Sequence, residues 1–138
     1  MDEKNYIEVI MVEPGKIAKI TTIDDSLESM QNIVGGLIEE YMPFEDDVAI
    51  ICNEEGKMMS LPPSRAICDN KDQVMDIIAG PFFMAYAPIE SEKFLSMPEE
   101  LKEKYLEKFK YPEKYFKDVN TREITAVKYD PEKVDMER

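Results

Sequence analysis

Residues 48–53 read VAIICN, six consecutive positions without a charge, followed at once by the polar turn EEGK. A short continuous apolar run of this kind suits a strand buried on both faces, so the rest of the chain has to cover it from two sides. Upstream, residues 5–13 (NYIEVIMVE) read as a strand, rich in β-branched residues and opened by an aromatic. Pro14-Gly15 is a turn signal, and 16–23 (KIAKITTI) alternates like a returning strand, so a hairpin is expected. Asp24, Asp25 and Ser26 offer N-cap oxygens, and Asp25 with Glu28 has the capping spacing. Leu27, Met30, Val34, Leu37 and Tyr41 then recur every three or four residues, which predicts an amphipathic helix over 26–41 that stops before Pro43.

Beyond VAIICN, Gly56 suits a turn and residues 58–61 pair back as a short strand, broken by the prolines of LPPSR. Residues 77–87 (IIAGPFFMAYA) resume as a strong strand in which Gly80-Pro81 marks a bulge or an edge. The clearest helix spans 97–111, with Pro98 in its first turn, Glu99 and Glu100 at its positive end and lysines in its last turns. Its apolar stripe is Leu101, Tyr105, Leu106 and Phe109. A further strand is expected at 123–129 (EITAVKY). The expected architecture is α+β: a small, mostly antiparallel sheet packed with two main helices. Residues 1–110 form the single domain, and 111–138 form a C-terminal extension packing on the domain or on a partner subunit.

At 43% hydrophobic and 34% charged, the chain is too apolar for disorder, and no apolar run approaches the roughly 18 residues that span a bilayer. The acidic start MDEKNY has neither the basic nor the apolar part of a signal peptide, so a cytoplasmic location is expected. Cys52 and Cys68 are then read as reduced thiols rather than a bridge. The chain has no histidine. That removes Ser-His and Cys-His nucleophiles, His-ligated zinc and the usual general base near neutral pH. With no catalytic motif either, an enzyme is not expected.

Net charge is −13, and residues 1–100 hold −14 against +1 for the remainder. Such a field repels nucleic acid and anionic membranes and attracts basic protein surfaces, unless it serves solubility alone. The densest stretch carries Glu39, Glu40, Glu45, Asp46, Asp47, Glu54 and Glu55. No phosphate-cradling loop is present. Residues 69–76 (DNKDQVMD) look like a calcium loop but lack its glycine and its distal glutamate, so no metal or cofactor is expected.

Two features point toward a ligand. Gly35 and Gly36 cost a helix about 1 kcal/mol each, and their return is close approach by the sheet, by a twin subunit or by a ligand. Arg65 is the sole arginine before residue 122. Its guanidinium either pairs with a neighbouring carboxylate or anchors an anion, with Lys57 assisting and Phe82, Phe83 or Tyr86 presenting a flat surface to a base.

The ordered pieces VEPGK, VGG followed by IE, PFEDDVAIICNEEGK, LPPSRA and DIIAGPFF carry a resemblance. Over about residues 5–110 the chain resembles the domain-of-unknown-function family 3846 of bacteria, phages and mobile elements. It departs from the family pattern at Pro63, often polar there, and at Pro81, often threonine. The resemblance implies a setting among phage and mobile-element accessory genes, where at least one anti-CRISPR protein is similar to the family. It supplies no site residues. The expected role is counter-defence by stoichiometric binding. The favoured form is a homo-oligomeric sponge for a nucleotide-type signal of the cyclic ADP-ribose class, with Arg65, Lys57, Gly35, Gly36, Phe82 and Phe83 as ligand-binding residues. The alternative is an acidic inhibitor that occupies a host nuclease as a DNA mimic.

Overall fold

In a computed structural model, residues 5–133 are described. In chain order they form β1 (Tyr6–Val12), β2 (Lys19–Asp24), α1 (Leu27–Val34), β3 (Ile38–Tyr41), β4 (Val48–Asn53) and β5 (Pro63–Cys68). There follow β6 (Val74–Ala79), β7 (Phe82–Tyr86), α2 (Glu99–Lys108), β8 (Glu113–Lys117) and β9 (Ile124–Lys128). Residues 1–4, part of the stretch read for targeting, and 134–138, the end of the expected extension, lie outside the described residues.

The VAIICN run is β4, and all six of its residues are buried. It sits inside a five-stranded antiparallel sheet of order β2-β1-β7-β4-β3. Because side chains alternate across a strand, the sheet has two apolar faces, and each needs a cover. Met30 and Val34 of α1 close the face formed by Ile7, Val9, Ile51 and Phe83. Tyr105 and Phe109, on α2 and at its end, close the other with Ile67 and Ile78 of the β5–β6 hairpin, over Ile10, Val12, Ile50 and Met84. Phe44 meets Tyr105 and Phe109 at ring-centroid distances of 4.9 and 5.9 Å. Burying each such aromatic contributes on the order of 2–3 kcal/mol.

The fold class is as expected, α+β with an antiparallel sheet and two helices. Several local expectations are corrected. The first helix ends at Val34, because Gly35 turns left-handed at φ +82° and its N–H donates to Gln31 O. Leu37 to Tyr41 kept the helical spacing, yet 38–41 is the edge strand β3. Of the three candidate N-cap oxygens it is Ser26 Oγ that accepts, from Ser29 N–H, so the capping spacing of Asp25 with Glu28 goes unused. Residues 58–61 form no strand; they belong to a turn closed by Leu61 N–H on Gly56 O.

Pro63, expected to break a strand, begins β5, a position where a missing N–H is tolerated. The run 77–87 is two strands in different sheets, because Gly80 at φ +86° redirects the chain, and β7 is central rather than an edge. The calcium-like run is the hairpin turn between β5 and β6, where the Asp69 carboxylate accepts from Lys71 and Gln73 N–H. Cys52 and Cys68 are both free thiols.

Candidate functional site

Arg65 is 0% exposed on β5, and backbone carbonyls surround its guanidinium. Nε donates to Phe109 O at 2.9 Å, Nη1 to Ser64 O at 2.8 Å and Glu13 O at 3.3 Å. Nη2 donates to Lys16 O at 2.7 Å and Lys110 O at 3.4 Å. The planar fork thereby ties the β1–β2 loop to the end of α2, whose last carbonyls have no helical partner. Burial pulls its pKa down, while the neighbouring Glu113 pulls it up. Glu113 does not pair with it directly; its carboxylate accepts from Ala66 N–H at 2.8 Å and Tyr115 O–H at 3.0 Å, which fastens β8 to β5. Neither expected role for Arg65 holds: it is neither a partner in a side-chain ion pair nor free to anchor an anion.

The other residues expected to line a ligand pocket are also committed. Phe82 and Phe83 are fully buried on opposite faces of the sheet and offer no surface to a base. Gly35 and Gly36 lie beyond the helix, not within it. A Cβ on Gly36 would sit 3.0 Å from Asn53 Nδ2, which donates to Val34 O at 3.1 Å and so caps α1. Close approach is therefore made by the sheet. Lys57 is exposed and pairs with Asp76 on β6. The six residues do not converge on one cavity.

Neither thiol is a ready nucleophile. Burial, then the charge of Glu39, pushes the Cys52 thiol up to about 11, far from a thiolate at neutral pH. Cys68 is raised as well, chiefly by burial.

What the fold does assemble is acidic. A cleft of about 910 Å³ opens on the α1 face, lined by Asp24, Asp25, Glu28, Glu40 and Glu92, with Lys93 as its one ammonium among the described residues. Its apolar wall includes Met30, Ile89 and Phe94. The sequence reading missed this site, since Asp24 and Asp25 read as helix caps and Glu92 lies over fifty residues further on. Beside it, β3 carries Glu39 and Glu40, both exposed, and Glu54, Glu55 and Glu45 flank the β3–β4 hairpin in the open. Asp46 is different. Its carboxylate accepts from Lys104 Nζ at 2.6 Å and Tyr105 O–H at 2.8 Å, which clamps α2 to the loop before β4. These two bonds, Lys104 first, hold its pKa below the ordinary 3.8.

Among the described residues no helix is long and apolar enough to cross a membrane. A family model described as "Domain of unknown function (DUF3846)" matches residues 7–110. No curated protein and no solved structure matches the chain.

Proposed function

We propose that this protein, which belongs to the domain-of-unknown-function family 3846, acts by stoichiometric binding of a basic protein surface. The observation that carries the proposal is the cleft in which, among the described residues, five carboxylates face a single ammonium, continuous through Glu40 with the acidic β3–β4 hairpin. Carboxylates gathered from two strands, the start of α1 and the loop after β7 attract arginine and lysine and steer a cationic partner from a distance. The setting implied by the family resemblance is counter-defence, and a nucleic-acid-cleaving defence protein presents the cationic groove such a surface fits. The acidic inhibitor is thus favoured over the nucleotide sponge. Sequestration of a cyclic ADP-ribose-class signal is the competing proposal, and it loses its anion anchor once Arg65 is spent on five carbonyls.

The test is a panel of purified defence nucleases assayed with increasing protein, alongside thermal shifts with cyclic ADP-ribose. Inhibition of one nuclease, relieved by Glu39→Lys, Glu40→Lys and Glu45→Lys combined, is the expected result. A nucleotide-induced rise in melting temperature with no nuclease inhibited transfers the case to the sponge.

A further inference from the structure

Among the described residues, the outer edge of the sheet at β3 is open. Glu54 N–H donates to Leu37 O, and the β3–β4 register pairs Glu39 with Cys52 and Tyr41 with Ile50. In an antiparallel ladder alternate residues turn their backbone groups to the same neighbour. Leu37, Glu39 and Tyr41 therefore face β4, and the N–H and C=O of Ile38 and Glu40 point away from it. Among the described residues nothing accepts or donates to those outward groups. Leu37 and Met42, at the two ends of this edge, are 57% and 44% exposed.

We infer that β3 is a docking edge for an extended basic segment of the partner, which joins the sheet as a sixth strand. This rests on the reading that the partner is a basic protein. Strand addition satisfies the free backbone groups of an edge, and the side chains of the added strand supply specificity. Charge decides the occupant. The sequence has no lysine or arginine between Lys19 and Lys57. An incoming strand meets Glu39 on the α2 face and Glu40 on the α1 face, with Glu54 and Glu55 near one end and Glu45 near the other. Alternating arginine or lysine on that strand would lie across from these carboxylates, and apolar residues at its ends would cover Leu37 and Met42. A second copy of the same edge would set Glu39 and Glu40 against their own kind, and like charges directly opposite destabilise a pair.

The experiment uses a fluorescent peptide of alternating arginine and valine, about nine residues long, to match a strand that overhangs β3. Anisotropy measures its affinity for the native protein and for Glu40→Gln and Glu40→Pro, while amide hydrogen exchange reads Ile38 and Glu40. Glu40→Gln removes only the charge. Glu40→Pro also removes the outward N–H and leaves the β3–β4 ladder intact, since that N–H does not face β4. Strand addition predicts slowed exchange at both amides and affinity for Glu40→Pro weaker than for Glu40→Gln by roughly tenfold. Peptide binding with unprotected amides and equal affinities for the two variants overturns the edge and leaves the basic-partner reading standing. Protection of the same amides in the protein alone, rising with its concentration, also overturns it, in favour of a second copy. No binding of the peptide, together with no nuclease inhibited in the panel, ends both.

Discussion

Replacing Arg65 with methionine keeps the bulk of the side chain and removes its charge and donors. Three of the five hydrogen bonds, to Lys16, Ser64 and Phe109 carbonyls at 2.7, 2.8 and 2.9 Å, are short; those to Glu13 and Lys110 are 3.3 and 3.4 Å. Each short bond that disappears leaves a carbonyl short of a partner, at about 1–3 kcal/mol where no water replaces the donor. Against this, methionine escapes the cost of burying a cation, which is several kcal/mol. With the three short bonds taken at about 2.5 kcal/mol each and the relieved burial at about 3.5 kcal/mol, a net loss of about 4 kcal/mol remains. For 138 residues the unfolding entropy is roughly 0.3 kcal/mol/K, so the melting temperature should fall by about 14 °C. In urea, with a slope of about 2 kcal/mol/M, the midpoint should fall by about 2 M. Arg65→Lys should recover part of the loss, because an ammonium carries the charge but reaches fewer carbonyls. Circular dichroism reads both transitions. An Arg65→Met variant that melts with the native protein and loses only the affinity for an anionic ligand refutes this reasoning and restores the guanidinium as an anchor.

Asp46→Asn should lower stability by about 1–2 kcal/mol through the contacts with Lys104 and Tyr105. Its folded pKa lies below 3.8, so its contribution is present above that value and is lost as pH falls through the lower folded value. Urea midpoints should thus show the native protein losing its advantage over the variant in strong acid. Gly80→Ala should cost about 2 kcal/mol or more in a thermal melt, since a side chain there is strained at φ +86° and its Cβ would lie 2.7 Å from Leu61 Cδ1. Iodoacetamide at mildly alkaline pH should label Cys52 on the order of a hundredfold more slowly in the folded protein than in urea, as judged by peptide mass.

Where local pattern and tertiary need agreed, the sequence was readable. VAIICN became β4 with the expected bounds, and the stripe Leu101, Tyr105 and Phe109 became the buried side of α2. Periodicity misled over 35–41, because Leu37 and Tyr41 fall at helical spacing from Val34 while Gly35 takes a left-handed φ that costs it nothing for want of a Cβ. At Gly80 the same freedom split one apolar run between two sheets. The candidate site was less legible. Rarity singled out Arg65, but its acceptors come from residues 13, 16, 64, 109 and 110, and backbone carbonyls leave no mark in a sequence. The acidic cleft is built from four separated segments, so its carboxylates read as scattered surface charge.

The most direct test is the stoichiometry and salt dependence of nuclease inhibition, titrated with the native protein from about 50 to about 300 mM salt. An acidic surface holding a basic partner predicts saturation at one protein per nuclease, intact protein and nuclease afterwards, and inhibition that weakens steadily as salt rises. Full inhibition by a small fraction of an equivalent, or inhibition that salt leaves untouched, contradicts it.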